Sequence, residues 1–179
     1  MSELSHAAGA FFAVWCVNDA EEWFTYPGTT KRLLRRLPRW LPVPEAVRQR
    51  GLSPAHTRRA IALMGVAALT SGLAGVATHG RSALFRGALL ALGVHGYLHL
   101  GLSVAARGYT SGAASAATVV IPYWHWSRRV LARHGLSDHD GPAVRVALLA
   151  LPLLAAVHAV TFAMMGDDAL GPADRAEEG

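Results

Sequence analysis

The sequence predicts an all-α fold, a polytopic membrane helix bundle with about five transmembrane helices. Of its 179 residues, 52% are hydrophobic and only 16% are charged, whereas a water-facing globular domain carries about 25% charged residues. Four intervals of 20 or 21 residues contain no charged side chain. Each is long enough to cross a hydrocarbon core about 30 Å thick as a helix. These intervals exclude disorder, a coiled coil and most soluble enzyme folds.

The first membrane helix is predicted over about residues 5–24, because this apolar stretch runs directly into Asp19, Glu21 and Glu22 without a signal-peptide cleavage site. Residues 27–58 follow as a basic, proline-rich surface loop. Residues 26–59 hold nine basic residues against a single acid, Glu45. This loop is expected to lie at the membrane surface, with one short interfacial helix at most.

Four further helices are predicted over the uncharged intervals, at about residues 59–77, 84–106, 113–126 and 142–165. Tyr123, Trp124 and Trp126 are expected to form an aromatic belt at the membrane interface. Residues 1–166 then form one integral membrane domain, and residues 167–179 form an acidic, disordered tail.

The charge distribution predicts partners and orientation. The sequence pI is about 10.1, but the basic residues border apolar segments and form no nucleic-acid-binding motif. Membrane lipid is therefore the expected partner, and no nucleic acid is expected to bind. With five spans, one side holds residues 26–59, Arg107 and Arg175, and therefore 11 of the 17 Lys and Arg residues. The positive-inside rule places the N-terminus outside and the C-terminus in the cytoplasm, for a multi-pass protein of the cell membrane.

Ionisable side chains at membrane depth are costly, so each needs a partner or a function. In the first helix, Asn18 lies three and four residues before Glu21 and Glu22, which predicts one polar patch on one face. The alternative is that the helix ends here and the acids lie in water.

A second polar stripe is predicted on the third helix. His95 and His99 are four residues apart, the spacing by which one helix offers two imidazoles to one ligand or metal ion. Ser103 and Arg107 continue this face. His158 is a weaker candidate for the same cavity, while His79, His125, His134 and His139 are assigned to loops or the interface. The single cysteine, Cys16, excludes an internal disulfide.

Three short motifs occur in a fixed order: residues 18–23 (Asn-Asp-Ala-Glu-Glu-Trp), His99, and residues 107–112 (Arg-Gly-Tyr-Thr-Ser-Gly). Together they resemble a family of small bacterial integral membrane proteins named after a His-x-x-Glu-Glu motif. The resemblance covers about residues 11–126 and implies an enzyme without an assigned substrate, for which metal-dependent hydrolysis has been suggested.

Two positions depart from that family's pattern. Asn18 stands where the naming histidine is expected, and Ser111 stands where the third motif has proline. The serine is compatible with a turn, but Asn18 removes an implied ligand or base. We expect His95, one helical turn before His99, to take the place of the missing imidazole.

The leading hypothesis is a membrane-embedded enzyme acting on a lipidic or apolar small molecule. In its metal form, His95, His99 and Glu22 hold Zn²⁺ or Fe²⁺, Glu21 is a general base, and Asn18, Ser103, Arg107 and Tyr109 contact the substrate. In its metal-free form, Glu21, Glu22 and His99 transfer protons in an isomerisation or terpene-type cyclisation. Aromatic side chains would then stabilise a cation or simply pack against lipid: Trp15, Trp23, Phe24 and Tyr97.

A different class remains open at this stage. A non-enzymatic membrane protein, such as a transport accessory or an immunity protein, has the same composition. The chain has no inverted repeat, which argues weakly against a complete transporter. Its high Ala, Arg and Gly content resembles that of high-GC actinobacterial proteins, in which small membrane enzymes accompany specialised-metabolite pathways.

Overall fold

A computed structural model describes residues 2–36, 38–40 and 43–173. Within these ranges the chain is a helix bundle without β-strands. Its α-helices are α1 (Glu3–Arg36), α2 (Glu45–Arg50), α3 (Pro54–Ala77), α4 (Ala83–Ala105), α5 (Ala113–Ser115), α6 (Ile121–Arg133) and α7 (Gly141–Met165). A π-helical turn, Ala116–Val120, joins α5 to α6, and a 3₁₀ turn, Gly166–Ala169, follows α7. The all-helical prediction is therefore confirmed.

Three helices, α3, α4 and α7 with its 3₁₀ extension, are long and apolar enough to cross a membrane. Each begins at a side-chain N-cap: Ser53, Ser82 and Asp140 accept hydrogen bonds from the backbone N–H groups of His56, Phe85 and Ala143. The two other expected spans lie in α1 and in the helical stretch from Ala113 to Arg133. A total of five spans stays a prediction.

The first helix is longer than expected, since α1 continues through Pro27 and Gly28 to Arg36. Part of the loop predicted over residues 27–58 is thus helical. Proline removes one backbone donor and disfavours a helix interior, but threonine hydroxyls bind back to carbonyls in the adjoining turns. Thr25 donates to the Glu21 carbonyl and Thr30 to the Tyr26 carbonyl. The Pro27-Gly28 dipeptide therefore does not end the helix, contrary to the prediction.

Two of the three residues expected in the aromatic belt are buried inside the bundle. Tyr123 and Trp124 are only 8% and 9% exposed, whereas Trp126 is 41% exposed. Tyr123 donates to the carbonyl of Ala7, and the Trp124 indole donates to Asp138 in the loop after α6. Helix α6 does not end near Trp126 but continues to Arg133. Tyr123 and Trp124 pack against α1 and α4, respectively.

Helix α1 packs mainly on α3, and α4 packs mainly on α7. At Gly87 the backbone of α4 lies so close to α7 that an added Cβ would be 2.5 Å from the Ala143 carbonyl oxygen. Small residues permit such close helix packing in lipid.

The turns alternate between two ends of the bundle. At one end, Glu3 pairs with Arg133, and Ser5 contacts His79 in the turn after α3. At the other end, Arg36 donates to the carbonyl of Ala106. The main core consists of apolar residues from α1, α3, α4 and the stretch from the π-helical turn to α6.

The segment after α7 is ordered where the structure describes it. Leu170 forms an antiparallel bridge with Leu52, and Ser53 donates through its backbone N–H and its hydroxyl to the carbonyls of Ala169 and Asp168. This contact closes the bundle at the end that carries α2. Of the tail expected to be disordered, residues 174–179 lie outside the described ranges.

Candidate functional site

Three of the predicted site residues converge between α1 and α4. The Glu22 Oε1 atom lies 2.9 Å from His99 Nε2 and 3.3 Å from His95 Nε2, and the two Nε2 atoms are 2.8 Å apart. The side chains of Glu22 and His99 are 12% and 8% exposed, whereas that of His95 is 44% exposed. The group is thus a nearly buried carboxylate and imidazole with one imidazole at the open side.

Helical spacing explains the convergence. His95 and His99 are one turn apart on α4, so their rings project from the same face. Glu22 meets them from α1 because α1 and the stretch from Ala113 to Arg133 pack beside α4.

Asn18 extends this group within α1. Its side chain is fully buried, its Nδ2 donates to Glu22 Oε1 at 2.9 Å, and its Oδ1 accepts from the Ser115 hydroxyl at 3.3 Å. Asn18 therefore orients Glu22 by a hydrogen bond, and its predicted contact with the substrate stays a prediction. The neighbouring Asp19 is close enough for its charge to interact with Glu22.

The spacing of the three donor atoms fits a metal ion. Bonds of about 2.0–2.1 Å hold adjacent donors about 3.3 Å apart in tetrahedral geometry and about 2.9 Å apart in octahedral geometry. The observed separations of 2.8 to 3.3 Å cover this interval. Two imidazoles and one carboxylate form a donor set used by zinc and non-haem iron enzymes. Glu22, His95 and His99 could therefore hold a divalent ion.

Glu21 points to a different place from Glu22. Its Oε1 accepts from the Tyr109 hydroxyl at 2.6 Å and from the Ala114 backbone N–H at 3.2 Å, and its Oε2 accepts from the Ser115 N–H at 2.6 Å. The two backbone donors belong to the first turn of the helical stretch after Gly112, where an anion is favourable. The Glu21 carboxylate thus binds the start of this helix to α1.

The loop from Arg107 to Gly112 covers His99. Gly112 has a φ of +81°, and an added Cβ would lie 2.5 Å from His99 Cε1 and 2.7 Å from both ring nitrogens. Glycine is needed here for the positive φ and for the approach of the backbone to the imidazole. Partial burial and the bond to Glu21 raise the pKa of the Tyr109 phenol above its ordinary value.

The other residues predicted to contact the substrate lie around this loop rather than beside the Glu22 carboxylate. The Ser103 and Thr110 hydroxyls are 2.6 Å apart, and the Thr110 backbone N–H also binds Ser103. Arg107 is exposed, with a φ of +49°, at the turn after α4. Along the stripe predicted from His95 to Arg107, the two imidazoles contact each other, whereas Ser103 bonds to Thr110 of the loop.

His158 does not join the group at Glu22. Its Nδ1 lies 2.8 Å from His56 Nε2, and the two rings stack with a centroid distance of 5.1 Å. His56 is fully buried near the start of α3. This second histidine pair is a packing contact between α3 and α7.

The aromatic residues considered for cation stabilisation have separate surroundings. Trp15 stacks on Phe12, Trp23 lies under the guanidinium of Arg58, and Phe24 is 79% exposed. Tyr97 contacts Trp124 and bonds to His125 at 2.9 Å. These contacts agree with packing and interfacial roles.

Two residues that position this site were not predicted from the sequence. The motif that contains Gly112 does not indicate that this residue covers His99, and no sequence pattern indicates Ser115, which binds both Glu21 and Asn18. A glycine directly before a helical segment is the one sequence signal that pointed to this contact.

Comparisons with known proteins agree with the order of the motifs. Residues 10–127 match the model of a family described as a protein of unknown function with HXXEE motif. No curated protein and no solved structure matches the chain. The match covers about two thirds of the sequence, including Glu22, His95, His99 and the loop over them. The chain belongs to the HXXEE-motif family.

Proposed function

We propose that this protein is a membrane-embedded metalloenzyme that hydrolyses a lipidic or otherwise apolar substrate. Glu22, His95 and His99 would hold one zinc or iron ion. The convergence of their three donor atoms within 3.3 Å carries the proposal. A divalent ion with this donor set supplies Lewis-acid activation of water or of a carbonyl group.

The protein's own residues would divide the remaining tasks. Asn18 orients Glu22 through a hydrogen bond of 2.9 Å, as second ligand shells commonly do. A site with three protein ligands would leave room for water or substrate on the ion. His95, with 44% of its side chain exposed, is the member of the group most accessible from outside. An apolar substrate would reach the group beside His95 from the lipid phase.

Metal content is the test of this proposal. We expect about one zinc or iron ion per chain in detergent-purified protein, as in three-ligand catalytic sites. The double variant His95→Ala, His99→Ala should lose it, because one carboxylate alone binds such ions weakly. The matched control is His125→Ala, which removes an imidazole bonded to Tyr97 away from the group. Mass spectrometry of the metal gives the readout. Equal metal content in the double variant would contradict the proposal.

A second function is favoured by one feature of the same group. The separations of 2.8 and 2.9 Å are hydrogen-bond lengths, so Glu22, His99 and His95 also form a chain from a nearly buried carboxylate to a half-exposed imidazole. Such a chain can move a proton in an isomerisation or cyclisation. Folded wild-type protein without bound metal, together with loss of function in Glu22→Gln, would support this alternative. Unchanged function in Glu22→Gln would instead favour a non-enzymatic accessory, transport or immunity role.

A further inference from the structure

A second candidate binding site lies at the opposite end of α6 from the Glu22 group. Arg128, Arg129 and His125 of α6, together with Ser137 and His139 of the following loop, line a pocket of about 500 Å³. The pocket has no part in the proposed hydrolysis. Its basic residues favour a charged ligand rather than the apolar substrate of that reaction.

The pocket lies at one end of the bundle. Arg128 is the first charged residue after the 20 uncharged residues that follow Arg107, which marks the end of an apolar interval. Arg86, in the first turn of α4, donates to the Ser137 carbonyl and pairs with Asp140 directly before α7. The loop therefore lies at the end of the bundle where α4 and α7 begin, which in the expected five-span arrangement is the depth of lipid headgroups.

The charges of the pocket favour an anion. Its one carboxylate, Asp138, is 1% exposed and accepts from the Trp124 indole at 2.9 Å, from Arg128 at 3.1 Å and from His139 at 3.0 Å. This carboxylate is thus already satisfied by protein donors. In the part of the chain that the structure describes, the exposed guanidinium of Arg129 has neither a hydrogen bond nor an ion pair.

Arg128 is held in place before any ligand arrives. Its guanidinium lies 4.7 Å from the centroid of the Trp124 ring, and its Nε donates to Asp138. Within the described residues, its Nη1 makes no hydrogen bond. Two arginines thus line the pocket, one of them fixed, and arginine binds phosphate with two parallel hydrogen bonds.

We propose that this pocket binds the phosphate-bearing headgroup of an anionic phospholipid. Arg128 and Arg129 contact the phosphate, and the Ser137 hydroxyl and the His139 imidazole are additional hydrogen-bonding groups. Clustered basic side chains at headgroup depth attract anionic lipids, and here α6 and the loop after it supply them. Free inorganic phosphate shares the same chemistry but lacks the acyl chains that would lie along the apolar surface below the pocket.

The test uses the full chain in detergent micelles, with native mass spectrometry to count bound lipid. Dioleoylphosphatidylglycerol is the probe and dioleoylphosphatidylcholine is the neutral comparison. We expect preferential retention of the anionic lipid and a loss of about tenfold in its affinity in Arg129→Gln, equal to about 1.4 kcal/mol. Arg129→Lys should restore part of this affinity through its charge. Arg129 is exposed, so its replacement should not prevent folding.

Arg145→Gln is the matched control, since Arg145 is an exposed arginine whose side chain donates to the Gly141 carbonyl outside this pocket. It should retain the lipid as the wild type does. Equal retention of both lipids, or equal affinity in wild type and Arg129→Gln, would overturn the site. Displacement of the lipid by an equal concentration of inorganic phosphate would overturn the assignment to a lipid.

Discussion

At the scale of single residues, two adjacent glutamates differ in what their carboxylates contact. Glu22 meets two imidazoles, whereas Glu21 accepts from Tyr109 and from two backbone N–H groups after Gly112. Successive residues on a helix are about 100° apart, so neighbouring side chains face different elements. This geometry favours a positioning role for Glu21, while its catalytic role stays an untested prediction.

We expect Glu21→Ala to weaken binding of Co²⁺, a spectroscopic substitute for zinc, by about tenfold, or about 1.4 kcal/mol. Without the carboxylate, the loop that carries Gly112 against His99 loses the hydrogen bonds from Tyr109, Ala114 and Ser115. It keeps the Ser111–Thr25 and Ser115–Asn18 contacts with α1. Absorbance titration measures the affinity and the coordination geometry, and hydrogen exchange at Ala114 and Ser115 measures the loss of the anchor. Glu3→Ala is the control, because Glu3 lies in the same helix and is exposed. Unchanged affinity and unchanged exchange would rule out the positioning role.

At the scale of elements, α7 begins at a cap that also joins it to α4. Asp140 accepts from the Ala143 backbone N–H at 3.0 Å and forms an ion pair with Arg86. The hydrogen bond from Ala143 and the guanidinium of Arg86 lower the pKa of the Asp140 carboxyl from its ordinary value. A depressed folded-state pKa means that the ionised form stabilises the fold.

The Asp140→Ala variant is expected to lower Tm by a few degrees at neutral pH, a typical effect of removing one cap. This stabilisation is fully present above the unfolded-state pKa of about 3.9 and is lost as pH falls through the lower folded-state pKa. The Tm difference between the two proteins should therefore shrink in acid. Thermal unfolding in detergent across pH measures it, with Asp140→Asn to separate the cap from the charge. A difference that grows in acid would contradict this interpretation.

At the scale of the whole molecule, the helices alternate in direction, so the turns gather at two ends. One end holds the start of α1 and the turns after α3 and α6, and the other holds α2, the turn after α4 and the segment after α7. This grouping matches the expected five-span arrangement. The assignment of the α2 end to the cytoplasm stays a prediction from the positive-inside rule.

Labelling of intact cells with a membrane-impermeant maleimide tests the orientation. On a Cys16→Ala background, His134→Cys should be labelled from outside, and Arg39→Cys should be labelled only after permeabilisation. Both positions are exposed and lie at opposite ends of the bundle. Labelling of Arg39→Cys in intact cells would reverse the predicted orientation.

The sequence by itself determined the features that depend on local composition and spacing. The apolar intervals located α3, α4 and α7 to within a few residues, and the spacing of four residues placed His95 and His99 on one face. These predictions succeeded because a lipid environment demands long apolar helices and because helical periodicity fixes which neighbours share a face.

Only the tertiary structure decided which side chains meet across helices. It brought Glu22 to the two histidines, directed Glu21 to the helix after Gly112, paired His158 with His56 and buried Tyr123 and Trp124. It also kept α1 helical through Pro27. The physical reason is that helix rotation and close packing select these contacts. They depend on the joint fit of all the helices, which local sequence patterns do not encode.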